Sequence, residues 1–534
     1  MRPTRILAVW LLTILATAAC GSRPSYWDKA APRAVTSVGL GNGVALVDDA
    51  DHRVVMLTAL ADQQLSKRAF SIGHDVLSVA ASPDGLRLFV LSAGDSPRRT
   101  TTDEYPSLTV IDTSTPDPAS TRYSMTVPLP NLAIDPLGHW AVAYTGPSAP
   151  ASFVENANEI VLFDLDTPGS VPLPRTIRSH GGIPQRLTFT PLLQLPKSQK
   201  RLLIIETDID LTLLELGDAS SDVTIPLTSG TNARQVTPAG VVVDGFDPSS
   251  AADARIALRA NDDRNVFTFT LGPSDTNDFQ PIVNVIDVGG VPTDLAFVRA
   301  DNNALRVVAL VPSTSSAVLV DPDTSITTRV ALPAAYSRLS LVTNVLGSGT
   351  GTDVAMLWAS GDRAVPGVAL WTLGNTVGQP YRSVEVLPVS QPIQAVNDVR
   401  KQQRLKVLET ADTSSTSGFL VLDLLDRTAS PLQTMGKASL SVAPDGKRLW
   451  AFSSGGTDLA KLEFANLNPV PLTTDAAIDA VYDIARPSTG AGGDGGRSLI
   501  ALHKQGTIGA TVFDALNPDT ATSRRIPALL LEGP

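Results

Sequence analysis

An apolar strand that ends on a carboxylate recurs along this chain at intervals close to fifty residues. It ends on Asp112, Asp164, Glu215, Asp321, Asp423 and Asp514, at spacings of 52, 51, 106, 102 and 91 residues. Plainer strands at 266–271 and 368–373 halve the two longest intervals, Glu463 divides the last into 40 and 51, and one step upstream of Asp112 falls on 54–58. Such a period leaves the chain little freedom, because a unit this short cannot bury a core alone and must stack on its own copies. Around these strands, nearly every apolar run is four to eight residues long and is bounded by Gly, Pro, Asp, Asn or Ser, the grammar of strands and turns.

The clearest unit begins with Leu77-Ser78-Val79-Ala80-Ala81, turns at Ser82-Pro83-Asp84-Gly85 and returns as Leu86 to Leu91. Pro83 presets φ for a turn and Gly85 supplies the positive φ that closes it. A third strand over 108–112 and a fourth around 123–127 complete a four-stranded meander. The hairpin returns at Leu440 to Phe452 around Pro444-Asp445-Gly446, and more loosely at Asp135-Pro136-Leu137-Gly138-His139-Trp140. About ten units fit between residues 34 and 530. Four strands per unit at this period predict an all-β fold, a β-propeller of four-stranded blades. Ten exceeds the usual four to eight blades, so the alternatives are two smaller rings, cut near residue 290, or eight blades with insertions. A single closed ring is favoured. Units four and five are the least regular, and unit nine is the shortest.

The Ser-Pro-Asp-Gly turn, the Leu-Arg-Leu-Phe-Val strand after it and the Val-Ile-Asp-Thr strand end resemble YVTN-type and WD40-like β-propeller repeats. The 443–456 stretch is similar to the version found in the periplasmic propeller of the Tol system. The resemblance implies the fold; proteins sharing it bind proteins, peptides or sugars, and fold alone does not give function.

The N-terminus reads as an address. Arg2 and Arg5 precede an apolar run from Ile6 to Ala19, too short to span a hydrocarbon core of about 30 Å comfortably. The run ends Thr17-Ala18-Ala19-Cys20-Gly21, which resembles a bacterial lipobox although Thr17 stands where Leu is commonest. That resemblance implies a signal peptide over 1–19, cleavage before Cys20 and acylation of its thiol, with 20–33 as a lipidated tether and 34–530 as the propeller. Two or more acyl chains, at about 0.8 kcal/mol per buried CH₂, give stable anchoring. Gly21 in place of Asp points to the outer membrane if the cell is Gram-negative.

Composition narrows the partners. Among 534 residues, 42 are basic and 53 acidic, a net charge of −11 with no sustained basic patch, so nucleic acid is not expected. One cysteine permits no internal disulfide. Aromatic residues make up 5%, which predicts inter-blade layers of Ala, Val, Thr and Leu in place of aromatics.

No catalytic or metal-binding residue is assigned, and no cofactor is expected. His52, His74, His139, His180 and His503 lack metal-ligand spacing, although His74 and His180 fall where a fourth strand passes into the next first strand. Asp48, Asp49 and Asp51 offer oxygen ligands without EF-hand spacing and read as a solvated hairpin between strands two and three. The glycine-rich runs at 347–351 and 490–496 lack the Lys-Ser/Thr step of a phosphate loop. The basic 400–406 segment reads as a hairpin tip, against a competing helix over 393–408. The repeated strand-end acids fall one to a blade, and their expected work is local, accepting backbone N–H bonds in Asx-turns.

The expectation is therefore an exported, membrane-anchored lipoprotein of the bacterial cell envelope, a binding or scaffolding module for an envelope protein or cell-wall polymer. The alternative is a lactonase-like hydrolase using a metal or carboxylates in the propeller channel.

Overall fold

The computed structural model describes residues 35–529, apart from 61, 96–99, 116, 148–155, 180, 196–197, 219–220, 231–232, 245–254, 273–279, 301–303, 343–352, 362–364, 366, 374–383, 390, 412–417, 433–437, 487–495 and 504–507. Cys20, the signal and tether segments, His180 and almost all of both glycine-rich runs lie outside the described residues.

The strands form ten four-stranded antiparallel sheets. These are blades 1 to 10, spanning 36–71, 76–124, 131–176, 184–226, 238–287, 294–331, 338–387, 393–431, 439–473 and 480–526. Each blade is a meander of consecutive strands. Among the described residues, blade 4 alone interrupts the order, with a small hairpin of Leu193–Gln194 and Gln199–Lys200 between its first and second strands. A second hairpin, Thr228–Ser229 with Arg234–Gln235, separates blades 4 and 5. These two insertions are why units four and five look irregular in sequence. Helix among the described residues is limited to 3-10 turns such as Pro312–Thr314 and Thr520–Thr522.

The ring is single and closed. Ten apolar layers each join two neighbouring blades, from blades 1 and 2 through to blades 9 and 10. One of them packs Val44, Leu46, Val55 and Leu57 of blade 1 against Ile484, Ile500 and Leu502 of blade 10. Among the described residues no blade borrows a strand from another, so this apolar seam and its polar rim close the circle. Residue 290 is no boundary, since Val266 and Ile286 of blade 5 share a buried layer with Val307 and Val318 of blade 6. The layers are mainly aliphatic, but buried aromatics sit in six of them, including Trp371, Trp450, Phe89 and Phe163, and partly buried rings such as Tyr482 and Trp358 pack against the other four. The low aromatic content therefore does not mean aromatic-free layers.

Local expectations largely hold. Gly85, Gly138 and Gly446 have φ of 74, 77 and 70° in the first hairpins of blades 2, 3 and 9. The fourth strand of blade 2 is Ala119–Ser124, earlier than the apolar pattern over 123–127 suggests, because Met125 leaves the sheet and packs into the layer with blade 3. Strands Ile393–Asp398 and Leu405–Thr410 flank the 400–406 tip, so period prevails over the helical spacing there.

Asp112, Asp164, Asp321, Asp423 and Asp514 all accept backbone N–H bonds from residues two or three further on, such as Ser114 to Asp112 at 2.8 Å and Leu516 to Asp514 at 2.8 Å. Most also meet a cation near the start of the adjacent second strand, as Arg87 does Asp112 at 3.3 Å and Arg306 does Asp321 at 3.1 Å. Glu215, one methylene longer, pairs with Lys200 at 2.7 Å.

Candidate binding site at the channel mouth

First strands line the centre of the ring: those of blades 1 and 2, 2 and 3, 5 and 6, 6 and 7, 9 and 10, and 10 and 1 approach one another, and the second strand of blade 4 meets the first of blade 5. Each first strand enters from the face that also carries the loops between second and third strands. Side chains at the entry ends of first strands, and at the exit ends of second strands, therefore meet at one mouth of the central channel.

At blades 4 to 7 that mouth carries five charged side chains. Arg186 and Glu206 are register partners on the first and second strands of blade 4, as Gly240 and Arg259 are on blade 5. Asp294 and Arg338 begin the first strands of blades 6 and 7. A β-bulge beside Pro184 in blade 4, and another beside Pro238 in blade 5, shift the register just before these pairs. Gly240 makes room for its partner: a Cβ there would stand 3.2 Å from Arg259 Nε and 3.6 Å from Cζ, so the guanidinium lies across the bare backbone.

The electrostatics are unequal. Glu206 is 2% exposed, and among the described residues its Oε1 has no hydrogen-bond partner, with Arg186 Nη1 3.8 Å away. Burial pushes its carboxyl above the usual range, against the pull of Arg186 and Arg259. Burial likewise raises Asp294, although its Oδ2 accepts from the Leu339 N–H at 2.8 Å and its Oδ1 from the Leu295 N–H at 3.0 Å. Burial also depresses Arg259, whose neighbours include Asp294, Arg186, Arg338 and Glu206. Among the described residues, neither Arg259 nor Arg338 closes to ion-pair distance with a carboxylate. Three cations thus face two carboxylates, one of them already accepting two backbone N–H bonds.

A second polar group sits on the same face at blades 1 and 2. His74 stacks on His52 with ring centroids 3.9 Å apart. Its Nδ1 lies 3.0 Å from Asp95 Oδ1 and its Nε2 3.4 Å from Glu104 Oε2, while Glu104 pairs with Arg122. The hydrogen bond to Asp95 raises the His74 pKa, against desolvation. His74 thus reaches the mouth-side face, as its position between strands suggests.

The remaining sequence candidates are structural. His503 is buried between the Ala477 carbonyl and Thr511 Oγ1, at 2.9 and 2.8 Å, and His139 pairs with Asp166 at 2.8 Å on the opposite face. The acidic hairpin lies where expected between strands two and three, but it is not simply solvated. Asp48 is buried and paired with Arg53 at 3.0 Å, Asp51 shares that arginine at 2.7 Å, and Asp49 accepts from the Val76 N–H. Among the described residues, no group of three His, Cys, Asp or Glu is placed to hold a metal ion. The cluster at blades 4 to 7 is missed by sequence reasoning that looks for spaced ligands. Its signal is a charged residue inside an otherwise apolar second strand, Glu206 in Leu-Ile-Ile-Glu-Thr and Arg259 in Ala-Leu-Arg-Ala, 53 residues or one blade apart.

No family model matches the sequence, and no curated protein matches it. Among solved structures the chain is similar to dihydro-heme d1 dehydrogenase NirN in complex with DHE, at 13% identity over 80% of this chain and 79% of that one, with a TM-score of 0.42. It is also similar to a eukaryotic initiation factor, at 11% identity over 92% and 96% with a TM-score of 0.44. A third is Porphyromonas gingivalis dipeptidyl peptidase 4, at 9% identity over 89% and 65% with a TM-score of 0.39. Likenesses this distant say nothing of ligand or reaction.

Proposed function

We propose that this chain is an exported lipoprotein, anchored through Cys20 in the bacterial cell envelope, whose propeller binds or scaffolds an envelope protein or a cell-wall ligand. The propeller fold fits such a module: ten blades present two broad loop-lined faces around a channel. The observation that carries the reading is the mouth at blades 4 to 7, where, among the described residues, Arg259 of blade 5 and Arg338 of blade 7 have no ion-pair partner. Charged groups held on strands, with their rotamers set by neighbouring blades, suit recognition of a partner of complementary charge. The anchor rests on the Arg-flanked apolar run and the Ala18-Ala19-Cys20 step. A tether of about a dozen residues spans some tens of ångströms when extended, enough to present either face close to a membrane.

The test has two arms. Cys20→Ser should abolish fatty-acid labelling and release the chain from the membrane fraction, and unchanged labelling overturns the anchor. A photo-crosslinking residue in place of Arg338, introduced in cells, should capture a discrete envelope component that the same residue at Arg525, on the outermost strand of blade 10, does not. Identical capture patterns at both positions overturn the assignment of the mouth as the binding face.

A further inference from the structure

Elsewhere among the described residues, arginines that are buried or half-buried are matched to carboxylates. Arg201 of blade 4 forks onto the fully buried Asp135 of blade 3 at 2.7 and 2.6 Å. Arg448 of blade 9 and Arg497 of blade 10 share the buried Asp483 at 3.2 and 2.5 Å. The mouth of blades 4 to 7 breaks this habit. Among the described residues, Arg259 is half-buried and lies over Gly240 with no ion-pair partner, Arg338 is exposed and also unmatched, and the Asp294 carboxylate is turned onto two backbone N–H groups. A guanidinium partly withdrawn from water is costly to hold without a counter-charge. Its planar fork of donors matches the oxygens of a carboxylate or phosphate.

We propose that this mouth is an oxyanion-binding site, in which Arg259 and Arg338 hold a carboxylate or phosphate group and Arg186 extends the positive wall. Glu206 is part of the same device. Among the described residues its buried Oε1 has no donor, and an ionised carboxylate there opposes an incoming anion. Once protonated it becomes a donor instead, so anion binding takes up a proton at Glu206. The charged groups facing it are Arg186 from its own blade and Arg259 from the next, with Asp294 and Arg338 beyond. This goes beyond the envelope-binding reading: it needs no membrane anchor and no protein partner, and an isolated anion titration can fail or succeed independently of crosslinking in cells.

The test is calorimetric titration of the full chain in detergent with inorganic phosphate and, separately, with citrate. At least one should bind saturably at millimolar concentration or below, and which one does separates a tetrahedral from a planar preference. Arg259→Gln and Arg338→Gln should each weaken that binding by roughly tenfold, whereas Arg525→Gln leaves it unchanged. Arg338 is exposed, so its variant reads the site even where Arg259→Gln disturbs folding, and Arg259→Lys should recover part of the loss. Affinity should rise as pH falls towards the Glu206 pKa, and Glu206→Gln should flatten that dependence while keeping binding. Absence of saturable binding for both anions overturns the proposal, as does binding that survives both arginine substitutions.

Discussion

The Tyr482 hydroxyl in blade 10 lies 3.1 Å from the carbonyl oxygen of Ser37 in blade 1, to which it donates, and 2.9 Å from Ser37 Oγ. The two residues are 445 positions apart in the chain, yet this contact joins its ends. Gly39 provides the space: a Cβ there would stand 2.5 Å from Tyr482 Cδ1 and 2.9 Å from Cε1. A further bond, from the Ala485 N–H to the Gly41 carbonyl at 2.8 Å, reinforces the seam. Because no strand is exchanged among the described residues, closure depends on these contacts and the apolar layer beneath them.

Tyr482→Phe should therefore cost about 0.5–1.5 kcal/mol, and Tyr482→Ala about 2–3 kcal/mol, since a half-buried ring is lost from the seam. Hydrogen exchange should quicken first in blades 1 and 10. Loss of protection spread evenly over all blades would count against a seam that opens locally.

The Arg201 fork governs acid sensitivity between blades 3 and 4. Burial pushes the Asp135 carboxyl up, but Arg201 and the N–H groups of Leu137 and His139 outweigh it and hold it below its ordinary value. A lowered folded pKa gives stability that is fully present above the unfolded value of about 3.9 and is lost as pH falls through the folded one. Arg201→Ala should cost about 3–5 kcal/mol at neutral pH by leaving a buried carboxylate unpaired. The gap to wild type should narrow below about pH 4, as measured by denaturant unfolding across pH.

Glu206 has the opposite sign. Its folded pKa is raised, so the unfolded chain ionises more readily and the residue destabilises the fold increasingly as pH rises above about 4.3. Glu206→Gln should raise Tm at pH 7 and match wild type near pH 4. A lower Tm at pH 7 would mean that the Arg186 contact outweighs the desolvation of the carboxylate.

Gly446 and Gly455 separate two costs in blade 9. Both have positive φ, 70 and 77°, but a Cβ on Gly446 would land on the Arg400 carbonyl oxygen of blade 8, whereas Gly455 has nothing within 4 Å. Gly455→Ala should cost only the left-handed backbone penalty of about 1 kcal/mol. Gly446→Ala should exceed it clearly, because the turn must also withdraw from its neighbour. Equal losses in thermal unfolding would show that the docking of this turn contributes nothing.

What could be read from the sequence follows from which interactions repeat. The strand-end carboxylates are legible because an Asx-turn is made within three residues, so Asp112 and Asp514 carry their whole reason locally. The same holds for Pro83-Asp84-Gly85. The period then marks the blades, because each copy needs a neighbour, while their number and the single ring are decided by the structure. The mouth is illegible for the converse reason. Arg259, Asp294 and Arg338 come from three blades and are brought together only by the curvature of the ring, and the space for Arg259 depends on the missing side chain of Gly240. Closure is hidden in the same way, since neither Ser37 nor Tyr482 carries a local sign of the other.

The claim on which all of this depends is that the ten blades form one ring with one mouth. Cryo-electron microscopy of the full chain in detergent, with particles viewed down the ring axis, tests it directly. The account predicts a single axial hole surrounded by ten spokes, with the first and last blades in contact. Two smaller rings, or a ring of eight with the remaining sheets appended outside it, would contradict it.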